Sequence, residues 1–287
     1  MTTKIYIPRD SSAIGLGADM VADQVSRVSE SMNQDVEVVR NGSRGLIWME
    51  PLLEVETESG RTGFANVNTT DVEGLVKSNF IEAGLRAKSV GLVDEIPYLK
   101  NQERLCFARN GITDPTSIED YIENGGFDGL SSALELDARS IVDIVTESGL
   151  RGRGGAAFPT GIKWNTVLNC QADQKYIVCN ADEGDSGTFS DRMTMEGDPF
   201  ALIEGMTIAA FAVHATKGYL YLRSEYPHAE EVFNEALEVA RDKGYLGKNI
   251  RGGERSFDIE LRRAAGAYIC GEETSLLESL EGKRGLV

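Results

Sequence analysis

The strongest constraint on the fold is the alternation of short apolar strands with longer helices over residues 131–287. The apolar spacing predicts, in chain order, a helix from 141, a strand at 175–180, a helix at 202–214, a strand at 218–223, a helix at 227–243 and a strand at 256–261. Parallel strands need a crossover between them, usually a helix. The alternation therefore predicts an α/β domain with a mainly parallel sheet.

Residues 1–90 predict a second, smaller α/β module with the order β-α-β-β-β-α. Its predicted strands lie at 4–7, 36–40, 45–49 and 53–56, with 61–67 as a further candidate strand, and its helices lie at 15–31 and 71–78. This order is compatible with a thioredoxin-like domain. Residues 91–130 contain two prolines and several polar turns, so they predict a connector.

The charge of the chain argues against two classes of partner. It has 46 acidic and 29 basic residues and a net charge of −17, which both halves share. Such a field disfavours nucleic acid and anionic membrane surfaces. No run approaches the roughly 20 apolar residues of a membrane span, and the first residues lack the apolar core of a signal peptide. We therefore expect a cytoplasmic protein.

The four cysteines, Cys106, Cys170, Cys179 and Cys270, lack the close spacing of a metal or iron–sulfur motif. We expect them to be reduced and mostly buried. The chain has only two histidines. Neither a histidine-based metal site nor a Ser/His/Asp triad is favoured, and no metal ligands are predicted.

A glycine-rich loop at 149–163 is the first segment that points to chemistry. Its five glycines allow the backbone to approach a ligand closely and to turn N–H groups inward. Arg151, Arg153 and Lys163 add positive charge, which suits a phosphate. The loop is neither a Walker A motif nor a Rossmann fingerprint. A purely structural turn is the alternative interpretation.

Two further polar segments follow. Residues 179–187 continue an apolar strand, and strand ends of α/β folds commonly contact ligands. Their Asn, Asp and Glu side chains suit ring edges or sugar hydroxyls, a metal, or simply a helix cap. Residues 266–274 precede a helix whose first turn would contain Glu272 and Glu273, where the helix dipole alone stabilises acids. Adjacent glutamates point in different directions and form no acid/base pair.

Together the three segments resemble the flavin subunit of respiratory complex I and its soluble relatives, the NAD-reducing hydrogenases and NAD-dependent formate dehydrogenases. The resemblance covers about residues 147–287 and rests on G-L-R-G-R-G-G-A-A-F-P-T-G-x-K-W, C-N-A-D-E-G-D-S-G-T-F-x-D-R and G-A-Y-I-C-G-E-E-T-x-L. Stretches in the first 52 residues look like the thioredoxin-like extension of the formate dehydrogenase β (diaphorase) subunit: Pro8 to Ser11, Gly17 to Asp19 and Arg40 to Leu52. Asp185-Ser186, where complex I members usually carry Glu-Pro, also favours that branch.

The resemblance implies FMN and NAD(H) as cofactors, with hydride passing between them and no protein acid or base in that step. The residues implied at the FMN phosphate and ribityl chain, or at the approaching dinucleotide, are Gly152, Arg153, Gly154, Gly155 and Lys163. Those implied at the flavin ring and ribityl chain are Asn180, Asp182, Glu183 and Gly184. Phe158 would face NAD(H), and Asp185 would lie near the nicotinamide. The opposite wall would contain Tyr268, Gly271, Glu272 and Glu273.

The resemblance also implies partners, namely a molybdenum- or tungsten-containing iron–sulfur α subunit and an iron–sulfur γ subunit of a formate dehydrogenase. The alternatives are the flavin subunit of complex I or of an NAD-reducing hydrogenase, and a truncated, non-catalytic scaffold. No cysteine precedes Cys106, so the N-terminal module cannot hold a [2Fe–2S] cluster and would serve interaction. A [4Fe–4S] cluster is expected only on a C-terminal part that this sequence does not contain.

Overall fold

A computed structural model of the chain describes residues 2–80, 87–153, 155–185 and 187–286. The chain divides into two compact units. Unit 1 contains residues 1–117 together with Glu196–Asp198, and unit 2 contains Ile118–Met195 together with Pro199–Val287. The α/β class expected from the sequence is confirmed, because each unit builds its own sheet with helices packed against it.

Unit 1 contains a five-stranded mixed sheet in the order β2-β1-β3-β4-β5. Its strands are β1 Thr3–Tyr6, β2 Val36–Val39, β3 Leu53–Thr57, β4 Gly60–Phe64 and β5 Ser89–Leu92. Strands β1 and β2 are parallel, and the remaining pairs are antiparallel. Its helices are α1 Ser11–Gly15, α2 Ala18–Ser31, α3 Thr69–Lys77 and α4 Pro97–Lys100.

Local sequence explains these elements. Helix α2 buries Val21 and Val25 on one face against the sheet, and an Asn68–Asp71 capping box starts α3. The predicted strand at 45–49 is wrong: Ile47–Met49 forms a single 3-10 turn. Gly45 has a left-handed φ of 83°, and the Met49 N–H donates to the Leu46 carbonyl at 2.7 Å. This local hydrogen bond closes a turn where the apolar pattern predicts a strand.

A cluster of buried charge lies in unit 1. Glu54 is fully buried and forms a two-pronged pair with Arg44, at 2.6 Å and 2.9 Å. Arg61 approaches the same carboxylate at 3.4 Å. Nearby Glu50 is 3% exposed and accepts hydrogen bonds from the Ser43 hydroxyl and the Leu52 N–H, at 2.7 Å and 2.8 Å. The chain thus buries two carboxylates close together, only one of which has an arginine partner among these contacts.

Glu50 is expected to make the stability of unit 1 depend on pH. Burial raises the pKa of its carboxyl from the ordinary 4.5 to about 8. The folded state therefore keeps a proton that the unfolded state has lost, and the resulting stability falls as pH rises towards 8. Relative to Glu50→Gln, the wild type is expected to lose roughly 2–3 kcal/mol of unfolding free energy between about pH 6 and pH 8. Urea unfolding of both proteins at several pH values measures this, and parallel pH profiles would contradict it.

Unit 2 contains a parallel sheet of three strands in the order β6-β7-β8. The strands are β6 Tyr176–Ala181, β7 Lys217–Leu222 and β8 Asp258–Arg263. Its helices are α5 Ile118–Glu123, α6 Asp128–Leu134, α7 Ala138–Glu147, α8 Thr160–Asn169, α10 Pro199–Val213, α11 Pro227–Asp242 and α12 Glu273–Leu280, and α9 Ser190–Gly197 begins in this unit. This confirms the parallel sheet predicted from the alternation.

Helix α10 is the centre of the unit 2 core and is buried over most of its surface. Phe200, Ile203 and Ala210 of this helix belong to the same apolar cluster as Leu220 of β7 and Phe233 of α11. The cluster covers one face of the sheet and fixes its strands in register. Because the strands are parallel, their carboxyl ends meet at one edge, where loops of α/β folds contact ligands.

The cysteines differ partly from expectation. Cys270 is buried and Cys179 half-buried, but Cys106 and Cys170 are exposed. The expectation of mostly buried thiols is therefore wrong for these two, which lie outside the strands and helices and have no sheet or core to pack against. Within the described parts of the chain, no helix is long and apolar enough to cross a membrane.

Candidate functional site

The three sequence segments converge at the carboxyl edge of the unit 2 sheet. A cavity of about 820 Å³ opens there, within the size range of ligand pockets. Its lining residues come from the glycine-rich loop, β6 and the start of α12: Gly152, Ala156, Ala157, Phe158, Lys163, Val178, Asn180, Gly271, Glu272, Glu273, Leu276 and Leu277. A second cavity of about 310 Å³ is lined by Asp182, Gly184, Asp185, Tyr268, Ile269, Gly271 and Glu272. The two cavities share Gly271 and Glu272.

The glycine-rich loop is held as a narrow turn before α8. The Gly152 N–H donates to the Phe158 carbonyl at 2.9 Å, and the Arg151 guanidinium donates to the Ala157 carbonyl at 3.0 Å. Arg151 therefore closes the loop, which the sequence alone does not reveal. Phe158 is 49% exposed and lines the larger cavity.

Two of the predicted loop residues that the structure describes do not line either cavity. Arg153 and Gly155 are exposed on the loop and contribute to neither lining. Gly155 has a left-handed φ of 89°, which explains the glycine by conformation alone. Gly154 lies outside the described residues, as does Ser186 of the second segment.

Asn180 links the second segment to the third. Its amide donates to the Gly271 carbonyl at 2.7 Å, and its side-chain oxygen accepts from the Asp182 N–H at 3.2 Å. Asn180 also lines the larger cavity. The side chain thus holds two walls of the site together.

Asp182 carries the clearest sign of a missing ligand contact. Its Oδ2 atom is buried and has no hydrogen-bond partner among the described residues. Burial raises the pKa of this carboxyl, and the Arg223 guanidinium opposes that shift. Buried polar atoms are satisfied in the great majority of cases, so an orphaned oxygen beside a cavity fits a ligand that donates a hydrogen bond.

Glu183 lines neither cavity. It is only 7% exposed. Its carboxylate accepts from the Tyr226 hydroxyl at 3.1 Å and from the Asp191 N–H. Sequence reasoning grouped Glu183 with the ligand contacts, whereas the structure shows its carboxylate hydrogen-bonded within the protein. Asp185 is exposed at the smaller cavity.

The third segment forms the opposite wall. Tyr268 is 77% exposed, and its ring covers Gly184 so closely that a Cβ there would lie 2.9 Å from it. Glu272 caps α12 by accepting from the Thr274 and Ser275 N–H groups at 2.9 Å and 3.0 Å. The helix-end interpretation of Glu272 is therefore confirmed, although it is the cap rather than a first-turn residue. Glu273 is exposed, and its carboxylate lies 3.8 Å from the Lys163 ammonium.

The lining as a whole suits a planar, polar-edged ligand with an anionic tail. It combines aromatic rings and apolar side chains with a few polar groups, which is typical of cofactor pockets. The exposed Lys163–Glu273 pair is weak in solvent. Lys163 is therefore available to a phosphate. These residues fit FMN, with Asp182 as an acceptor and Lys163 as a cation.

Comparison with known proteins identifies the class of this site. Residues 145–287 match the family model described as the Nuo51 FMN-binding domain. Most of unit 2 is thus similar to this FMN-binding domain, and the similarity supports the FMN and NAD(H) expected from the sequence.

Individual relatives show the same relationship. The chain is 52% identical over 186 residues to the HndC subunit of the NADP-reducing hydrogenase of Solidesulfovibrio fructosivorans, covering 65% of this chain and 38% of that protein. It is 50% identical over 169 residues to an NADH-quinone oxidoreductase subunit of Aquifex aeolicus, covering 59% and 39%. The chain thus spans less than half the length of these relatives.

The fold is similar to that of a solved NAD⁺-reducing [NiFe]-hydrogenase structure in the H₂-reduced state. The TM-score is 0.50 at 25% sequence identity, over 99% of this chain and 46% of that one. This similarity extends beyond the family match and includes the N-terminal residues.

The sequence missed the contribution of the loop after β7. Arg223 and Tyr226, at the carboxyl end of that strand, both contact Glu183. In the observed strand order the end of β7 lies between the ends of β6 and β8, which places both residues beside the second segment. No local motif marks these two residues as part of a site.

Proposed function

We propose that this chain is the FMN-bearing, NAD(H)-reactive part of an oxidoreductase subunit. The observation that carries the proposal is the convergence of all three segments on the larger cavity, next to a smaller cavity that is lined by Asp182 with its orphaned oxygen. The family match and the NAD(P)-linked relatives support it.

The chain's own residues would position both ligands. Asp182 would accept a hydrogen bond from the flavin, and Lys163 would bind the phosphate beside Gly152, which has no side chain to block the approach. The exposed ring of Phe158 would hold an NAD(H) ring by stacking. FMN, when bound, supplies the hydride-accepting ring and passes electrons onward one at a time. The protein contributes orientation, for which the Asn180 link between walls is important.

Direct binding tests the proposal. The full chain is titrated with FMN while flavin fluorescence is followed, and riboflavin, which lacks the phosphate, is the matched control ligand. We expect one FMN per chain and weaker binding of riboflavin, because riboflavin cannot use Lys163. A correctly folded chain that takes up no FMN would overturn the proposal.

Phe158→Ala is expected to raise the KM for NADH about tenfold and to leave the dissociation constant of FMN unchanged. The reason is that stacking of a base on an aromatic ring is worth about 1–3 kcal/mol, and the Phe158 ring is accessible. NADH oxidation with ferricyanide as acceptor gives the KM. Phe158→Tyr, which keeps the stacking face, is the control. Equal KM values for Phe158→Ala and the wild type would contradict this role.

The assembly is a finer proposal. The first 52 residues and Asp185-Ser186 suit a cytoplasmic, NAD-dependent formate dehydrogenase, with α and γ subunits as partners and a thioredoxin-like interaction module at residues 1–90. The βαβ unit of β1 and β2 with the adjoining antiparallel hairpin supports that module. The relatives found instead favour the flavin subunit of complex I or of an NAD-reducing hydrogenase.

Co-purification from the native cell separates these assemblies. A molybdenum or tungsten subunit as partner would support formate dehydrogenase. A nickel–iron subunit would support the NAD-reducing hydrogenase, and a membrane-bound assembly would support complex I. A chain that binds FMN but is not reduced by NADH would support the scaffold alternative.

A further inference from the structure

The loop that carries Asp182 is attached to the end of the neighbouring strand by three hydrogen bonds. The Arg223 N–H donates to the Ala181 carbonyl at 3.1 Å. The Arg223 guanidinium donates to the Glu183 carbonyl, and the Tyr226 hydroxyl donates to the Glu183 carboxylate at 3.1 Å. Asp182 lies between the two residues that are held.

The donors themselves are well fixed. Tyr226 follows β7 and immediately precedes α11, and its N–H donates to the Arg223 carbonyl at 3.2 Å, which closes a turn. The Arg223 side chain is 15% exposed, lies 5.4 Å over the Tyr226 ring and pairs with Glu225 at 3.3 Å. Burial raises the pKa of Tyr226 to about 12, so its hydroxyl remains a donor at neutral pH.

We propose that Arg223 and Tyr226 are positioning residues that hold Asp182 at the cavity edge through Glu183. The inference rests on the proposed function, because it assigns these residues a role in FMN binding. Neither residue lines the two cavities. Glu183 thus acts as an internal anchor rather than as a ligand contact. Its buried carboxylate is held in place because the Tyr226 hydroxyl and the Asp191 N–H both donate to it.

Such an anchor is needed because keeping the Asp182 oxygen buried without a hydrogen bond costs free energy. The Asp182 Oδ2 atom is buried without a hydrogen-bond partner among the described residues, which favours any loop movement that returns this atom to water. Three hydrogen bonds to its flanking residues oppose that movement. The site is therefore ready for a donor on the ligand before the ligand arrives, which reduces the entropy lost on binding.

The test is FMN titration of the full chain with Tyr226→Phe, which removes one hydroxyl and keeps the ring. We expect the dissociation constant of FMN to rise about tenfold, as for the loss of one hydrogen bond to a charged group. The visible circular dichroism of the bound flavin at saturation should also change, because Asp182 moves relative to the ring. Tyr219→Phe, in β7 at a position that lines neither cavity of the site, is the matched control and should bind as the wild type does.

A double-mutant cycle with Glu183→Gln distinguishes an effect that passes through Glu183 from a general loss of structure. If Tyr226 acts through Glu183, the two substitutions together weaken FMN binding by clearly less than the product of their separate effects. Unchanged affinity and an unchanged flavin spectrum in Tyr226→Phe would overturn the inference while leaving the proposed function intact. Independent, multiplicative effects of the two substitutions would also overturn it. A wild type that takes up no FMN would overturn both.

Discussion

Asp182→Ala is expected to weaken FMN binding about 100-fold without destabilising the chain. The Asp182 Oδ2 atom is buried and has no partner among the described residues, so its removal leaves no protein group unsatisfied. A hydrogen bond to a charged group contributes about 1.5–3 kcal/mol, the upper part of which corresponds to this factor. Removing a carboxylate whose Oδ2 atom is buried without a hydrogen-bond partner should leave the melting temperature of the FMN-free chain unchanged or higher.

Two comparisons make this prediction specific. Asp173→Ala removes an exposed carboxylate from the loop before β6 and should leave FMN binding unchanged. Asp182→Asn keeps an acceptor but removes the charge, and it should lie between the wild type and Asp182→Ala. Titrations with FMN give the dissociation constants, and thermal melts of the FMN-free proteins give the melting temperatures. An Asp182→Ala protein that binds FMN as tightly as the wild type would show that the orphaned oxygen does not face the ligand.

The second large effect concerns the stability of unit 1. Glu54→Gln is expected to lower its unfolding free energy by about 3–5 kcal/mol, as found when one partner of a buried ion pair is removed. Arg44 is 7% exposed and would lose its charged partner, and Arg61 would lose the same carboxylate. The remaining acid near Arg44 is Asp94 at 3.6 Å, which is 84% exposed and therefore compensates poorly.

Urea unfolding followed by the fluorescence of Trp48 measures this effect, in a Trp164→Phe background that leaves the signal to unit 1. Glu73→Gln is the matched control, because it removes one partner of the Glu73–Lys77 pair on the surface of α3, where both side chains are more than half exposed. Its effect should be about 0.5 kcal/mol or less. If the two substitutions cost the same, burial does not govern the contribution of these ion pairs.

Much of the fold follows from the sequence because the periodic elements carry their own signal. The strands β6, β7 and β8 and the helices α10 and α11 are predicted within a few residues, since apolar runs and amphipathic spacing are local properties, whereas α9 is not predicted. The turn at 45–49 is not predicted correctly, because a left-handed glycine and a local hydrogen bond outweigh the apolar composition of this segment.

The candidate site was predictable only in part. The glycine-rich loop and the two polar segments can be found in the sequence because their combinations of residue types are unusual. Which side chains face the ligand depends instead on tertiary packing. Glu183 appears in a polar motif but is buried against Tyr226, whereas Asp182 beside it remains at the cavity. Contacts between residues 183 and 226 arise because β6 and β7 are neighbours, and no local pattern encodes them.

Anaerobic reduction of bound FMN by NADH shows whether the two cofactors react at this site. The full chain is loaded with one equivalent of FMN, freed of unbound flavin, and mixed with NADH in the absence of oxygen while the flavin absorbance is followed. The site described above predicts loss of the oxidised flavin spectrum in proportion to the NADH added, and a much slower loss in Phe158→Ala at low NADH. Bound FMN that stays oxidised in the presence of excess NADH would contradict the account.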